Sequence, residues 1–332
     1  MNPLFTFIHV TDTHLTAEVD VLSPFVEAVN AETFHPRPDF IVFGGDNISG
    51  DPDDSTVCER ETRLLKERLD RLVVPCFMTC HTHDTRGETR PGTQYRRHFG
   101  EDAFSYIRDF PGNFRGVFMS GGFHDGGQVV DLYHQTEWLD RTLSEAGDRQ
   151  VLLFAHVPFF PPRKPVPPPH DALLFRPKWQ AGHFYFKPEN AGQVEVIRRH
   201  GNVLAHYSGH CHVHSVTRRN GTFYVTTGSL ATRPWEYRYI RVFPDRIEHR
   251  CVCPHDVRIM KLSPDKLAWL SARGIARETI ERQGAFWINC VDEEHPTVEL
   301  YHDGLPSERE FVIPIGAYNP QPTGQAPGQP QG

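Results

Sequence analysis

A layered α/β domain, with sheets packed inside and helices outside, is the fold class that this 332-residue sequence predicts. Three observations carry the expectation. Short apolar runs bounded by turn residues alternate with amphipathic segments as far as Val203–Tyr207. Hairpin patterns replace that alternation afterwards. One run, Val151–Ala155, is apolar throughout, as a strand covered on both faces must be.

In order, Leu4–Val10 reads as a strand, Pro24–Asn30 as a short helix and Asp39–Phe43 as a strand ending in Gly44-Gly45. Residues 54–72 place Val57, Leu64, Leu65, Leu69 and Leu72 on one helical face, with Asp53, Asp54 or Ser55 as N-cap. Val73–Thr79 is β-rich. Trp138, Leu139, Thr142 and Leu143 give a helix near 135–146, stopped by Gly147. A helix over 189–200 ends at Gly201 and leads into the strand Val203–Tyr207. Arg219-Asn220-Gly221-Thr222 is a hairpin turn, because Asn-Gly accepts the positive φ that a tight turn demands. Trp235–Val242 and Arg246–Cys251 form a second β pair about Pro244-Asp245.

Residues 1–253 read as the main domain, and three regions fall outside its alternating core. Residues 158–188 are a proline-studded insertion, 254–315 read as a small α+β appendage with a helix at Ser263–Arg273, and 316–332 as a disordered Pro/Gly/Gln tail. The net charge of −7 gives no global attraction to nucleic acid or anionic lipid. No apolar run is long enough to cross a membrane. Seven scattered cysteines make no disulfide scaffold, and Met1–Phe5 has no basic region before an apolar one, so a cytoplasmic location is the expectation.

The chemistry sits just after the strands. Asp12-x-His14 follows the first, Gly45-Asp46 the second and His81-Thr82-His83-Asp84 the third. His156 closes the run at 151–155, and Gly209-His210-Cys211-His212 follows the next strand. In α/β sheets the carboxyl ends of strands converge on one crevice, so these residues can meet. Each piece alone is weak, since a lone strand-end histidine is usually a satisfied core or loop residue. The ordered set of five is specific. Carboxylates and neutral imidazoles together suit zinc, manganese or iron. An aspartate shared by two ions about 3.5–4 Å apart is a device for attacking phosphorus.

These five blocks resemble those of the calcineurin-like metallophosphoesterases. Val10-Thr11-Asp12-Thr13-His14-Leu15 is most similar to the bacterial class III cyclic-nucleotide phosphodiesterase branch. The resemblance covers roughly residues 4–250. It implies a four-layer α/β/β/α sandwich and two divalent ions (Mn, Fe or Zn), with Asp12, His14, Asp46 and His212 holding one. Asp46 as bridge, Thr82, His156 and His210 would hold the other. It also implies a phosphoric ester hydrolase, with a metal-bridging hydroxide as nucleophile and His83 as general acid, oriented by Asp84. A phosphodiester is the favoured substrate class. Partners are then a small phosphate ester, a nucleotide among them, with no membrane and no stable nucleic-acid complex; a homo-oligomer is allowed. A catalytically silent or mononuclear scaffold that binds a protein partner is the alternative.

One departure stands out. The third block normally reads Gly-Asn-His-Asp or Gly-Asn-His-Glu, so Thr82 replaces an amide ligand and His81 replaces glycine. The expectation is a weaker or differently selective second ion, with Thr82 ligating poorly, water filling the position or His81 rearranging the loop. The insertion is expected to form a cationic lid over the metals. It carries Arg163, Lys164, Arg176, Lys178 and Lys187 against Asp171.

Overall fold

The computed structural model describes residues 1–31, 37–51, 53–88, 92–100, 104–120, 123–125, 128–130, 135–160, 162, 191–254, 294 and 298–316. Most of the proline-rich insertion, the helix read at Ser263–Arg273 and the tail from 317 onward lie outside them, as does the lid expectation.

Two six-stranded sheets face each other. The first contains β1 (Phe5–Val10), β2 (Phe40–Phe43), β3 (Cys76–Met78), β12 (Tyr237–Val242), β13 (Arg246–Val252) and β14 (Glu310–Pro314), in the order β14-β13-β12-β1-β2-β3. The second contains β4 (Ser105–Phe110), β5 (Phe114–Met119), β8 (Gln150–Ala155), β9 (Val203–Ser208), β10 (Ser215–Arg219) and β11 (Thr222–Thr226), in the order β10-β11-β9-β8-β5-β4. Between β5 and β8 lies a separate hairpin of β6 (Phe123–Asp125) and β7 (Gln128–Val130). Strands β1, β2 and β3 run parallel in one sheet, and β5, β8, β9 and β11 in the other, so their carboxyl ends share an edge.

Alternation along the strands makes four layers. In β1, Phe5 and Phe7 face the other sheet, and Ile8 and Val10 face helices. In β8, Leu152 and Phe154 point inward, and Val151 and Leu153 outward. Helices α1 (Leu22–Asn30), α2 (Ser55–Leu69) and α3 (Thr93–Phe99) cover the first sheet through Phe25, Leu65 and Tyr95. Helices α4 (Gln135–Ala146) and α5 (Ala191–His200) cover the second through Leu139, Leu143 and Ile197. This is the predicted α/β/β/α sandwich. Between the sheets, phenylalanines stack: Phe7 on Phe40 at 5.2 Å and Phe118 on Phe154 at 4.8 Å.

The described end of the segment read as an appendage packs on the first sheet. Helices α6 (Val298–Asp303) and α7 (Pro306–Arg309) lead into β14, which pairs antiparallel with β13 as an edge of the first sheet. Ile313 is buried with the inter-sheet core. The end of the supposed appendage therefore completes the main domain. Buried Arg238 of β12 ties it down by donating to the Glu308 carbonyl at 2.9 Å. Among the described residues no helix is long and apolar enough to cross a membrane.

Candidate metal centre

Each candidate ligand stands in a loop that leaves a strand at the shared carboxyl edge. Asp12 and His14 follow β1, Asp46 follows β2, and His81 to Asp84 follow β3, entering a 3-10 turn over Thr82–Thr85. From the facing sheet, His156 follows β8, and His210 and His212 follow β9. Asp12, His14, Asp46, His210 and His212 all have positive φ, between 39° and 68°. Left-handed backbone is uncommon outside glycine and costs energy, and it accumulates where a site over-determines it. The loops curl tightly enough that glycine is required beside them. A Cβ on Gly209 would stand 2.1 Å from Thr11 Oγ1 and 2.5 Å from Asp12 Oδ2.

The side chains gather in overlapping groups. Asp12, His14 and His212 bring one ligand atom each within 4.8 Å of one another, as do Asp46, His81, His156 and His210, and also His14, Asp46 and His83. Asp12 Oδ1 is buried and accepts no hydrogen bond, yet His212, His156 and His14 present Nε2 to it at 3.2, 3.7 and 3.8 Å. Asp46 Oδ2 lies 3.1 Å from His156 Nε2. His156 Nδ1 donates to the Gly44 carbonyl at 2.8 Å, which fixes the tautomer that turns Nε2 inward. His212 Nδ1 meets Thr232 Oγ1 at 2.8 Å, which orients that ring with Nε2 toward Asp12.

The electrostatics call for a cation. Burial pushes the Asp12 and Asp46 carboxyls up, but His156 with His212 at the first, and His156 with His83 at the second, outweigh it and hold both below the usual range. Burial pulls His156 down, and Asp46 and Asp12 outweigh that, raising it to about 9. His14 and His210 are held well below the ordinary value, by burial first and then by neighbouring histidines. Two buried carboxylates ringed by imidazole lone pairs fit the nitrogen–oxygen donor sets of zinc, iron or manganese.

His83 and Asp84 differ from expectation. Asp84 does not orient His83. Its buried carboxylate accepts from the backbone of Asn47 at 2.8 Å, Ile48 at 3.3 Å and His81 at 2.8 Å. Burial, reinforced by Asp46, raises it to about 7. The His83 ring instead donates from Nδ1 to the Ser49 carbonyl at 2.7 Å and accepts at Nε2 from Arg86 at 2.8 Å. Thr82 keeps its hydroxyl buried without a hydrogen-bond partner. The sequence reading named His81 only as a residue that rearranges the loop, without a ligand role, and missed Arg86, whose one signal is its place three residues after His83.

Residues 5–214 match the calcineurin-like phosphoesterase family and so include every one of these loops. The chain belongs to the calcineurin-like phosphoesterases. The family match and the curated relative make this phosphoesterase a phosphoric ester hydrolase. It is 25% identical over 236 residues to the probable glycerophosphodiester phosphodiesterase GpdQ of Arcobacter nitrofigilis, covering 67% of this chain and 77% of that protein. In fold, the phosphoesterase is similar to a dimetal phosphatase of Danio rerio, with a TM-score of 0.57 at 18% identity, over 77% of this chain and 98% of that one.

Proposed function

We propose that this phosphoesterase hydrolyses a small phosphodiester at a dinuclear centre. Asp12, His14, Asp46 and His212 would hold one cation, and Asp46, His156 and His210 would help hold the other. The observation that carries the reading is the group around Asp46. Its Oδ2 faces His156 while it also joins His14 and His83, so one carboxylate serves both sides. The curated relative, a probable phosphodiesterase, supports the diester over the monoester. Cations held there supply Lewis acidity, polarising a phosphoryl oxygen and activating water for attack.

The protein's own groups divide between floor and mouth. His156 is fully buried, whereas the side chains of His83 and His14 are 21% and 16% exposed. The ester therefore meets His83 first. With Nδ1 committed to Ser49 and Nε2 accepting from Arg86, Nε2 would carry a proton to the leaving oxygen only once Arg86 turns from the ring to the ester. Arg86 beside it presents fixed positive charge and a fork of donors where an anionic ester arrives. Asp84 pins the Asp46 and His81 loops together and acts as a positioning residue.

The test is kcat/KM on bis-aryl phosphodiesters, glycerophosphodiesters, cyclic nucleotides and aryl monoesters, with wild type and Asp46→Asn. Diester turnover that exceeds monoester turnover and collapses by roughly 10²–10³-fold or more in the variant is expected, as for loss of a major electrostatic contribution to the transition state. A preference for monoesters sinks the diester reading; undiminished turnover by Asp46→Asn sinks the shared-carboxylate one.

A further inference from the structure

The Thr82 departure predicts a weaker or differently selective second ion, and the geometry points to how the site is completed: His81 supplies the missing donor. It makes the second position a site of three imidazoles and one carboxylate that prefers zinc or iron to manganese. The inference rests on the dinuclear reading above and specifies its second half.

His81 is 1% exposed and stands immediately before the 3-10 turn, with extended backbone at φ −143° and ψ −167°. Its ring lies 4.5 Å from that of His156 and 5.6 Å from that of His210. Its Nδ1 is 3.5 Å from Asp46 Oδ1. Ligand atoms of Asp46, His81, His156 and His210 all fall within 4.8 Å of one another. Three imidazoles and a carboxylate whose ligand atoms converge this closely form a nitrogen–oxygen donor set of the kind that holds zinc or iron.

The backbone around His81 is held for this role. Asp84 Oδ2 accepts the His81 N–H, and Asp84 Oδ1 accepts the Asn47 N–H, one residue beyond Asp46. One buried carboxylate thus fixes the relative position of the two loops that carry His81 and Asp46. Thr82, by contrast, offers a short neutral hydroxyl, a poor donor beside an imidazole. Replacing the family's amide oxygen with imidazole nitrogen shifts the donor set toward zinc and iron and away from manganese, which favours oxygen.

The experiment uses the full chain, stripped and reloaded with an equimolar zinc and manganese mixture, and reads metal content by mass spectrometry. Visible absorption of the cobalt-substituted protein is recorded in parallel. Wild type is expected to retain about two equivalents and His81→Ala about one, since losing a ligand should weaken the ion by at least the roughly 10–100-fold that loss of an outer contact costs. Thr82→Val should retain both. His81→Asn restores an amide oxygen and should lower the zinc-to-manganese ratio at the second position by about tenfold or more. Far-ultraviolet circular dichroism and retention of the first equivalent guard against misfolding of His81→Ala. If that variant keeps two equivalents with an unchanged cobalt spectrum, or if Thr82→Val loses one, the His81 assignment is overturned. Wild type that never exceeds one equivalent overturns the dinuclear reading itself.

Discussion

Gly45 sits at φ +96°, and a Cβ there would stand 2.8 Å from His156 Nδ1, the atom bonded to the Gly44 carbonyl. Gly45→Ala should therefore destabilise the fold by about 1–3 kcal/mol through backbone strain alone. It should also displace the imidazole. Chemical denaturation combined with metal analysis checks both, and a variant with wild-type stability and metal content contradicts the account. At this scale the donors were legible because aspartate and histidine recur directly after apolar runs. His81 was not, since a sequence does not reveal which way a ring turns from an extended backbone. Asp84 misled for a related reason: adjacency to His83 suggested contact, yet its carboxylate meets three backbone N–H groups and spares no oxygen for the ring.

Among the elements, α1 depends on a residue just before it. Asp20 Oδ1 accepts from the backbone of Leu22 at 3.1 Å and Ser23 at 2.9 Å, while Oδ2 takes Arg68 Nε of α2 at 2.7 Å. Asp20→Ala should cost about 1 kcal/mol, the usual worth of such a cap. Burial works against this charge, but the bonds from Arg68 and Ser23 outweigh it and hold the carboxyl below its ordinary value. The stabilisation is thus complete above pH about 4 and fades as pH falls through the folded value. Urea titrations from pH 6 downward should show the wild-type advantage over Asp20→Ala shrinking; a constant gap would contradict this. Helix α4 and the Asn220-Gly221 hairpin were readable from sequence because spacing and turn chemistry agreed. The β4–β5 hairpin was not, because Arg108, Asp109 and Arg115 interrupt its apolar pattern. Cross-strand bonding explains them: Arg115 grips Asp109 with two hydrogen bonds, at 2.7 and 3.0 Å, directly across the ladder.

Across the whole molecule, the C-terminal segment reaches back to the metal loops. The His302 carbonyl of α6 accepts from His214 N at 2.9 Å, and His302 Nδ1 donates to the His212 carbonyl at 3.1 Å. Deleting residues 298–316 should consequently lower the midpoint of thermal unfolding and weaken metal retention together. A truncated chain that keeps its ions would show that His212 needs no such brace. The partnership of β13 with β14 was beyond sequence reading because it joins segments far apart in the chain.

The two sheets resemble the covers of a book. At one margin Phe5, Phe40 and Phe110 glue them, with ring centroids 4.6 to 6.0 Å apart. At the opposite margin, where the strands end, the first cover contributes Asp12, His14, Asp46 and His81, and the second His156, His210 and His212. An ion bound there would be a clasp as well as a catalyst's tool, because among the described residues the groups at this margin draw on loops of both covers, except that of His14, Asp46 and His83. Ions at a hundred times their dissociation constant would add about 2.7 kcal/mol to the closed book. Chelation should therefore open it from the clasp side, with hydrogen exchange quickening at the ends of β1, β2, β8 and β9 while the phenylalanine margin stays shut.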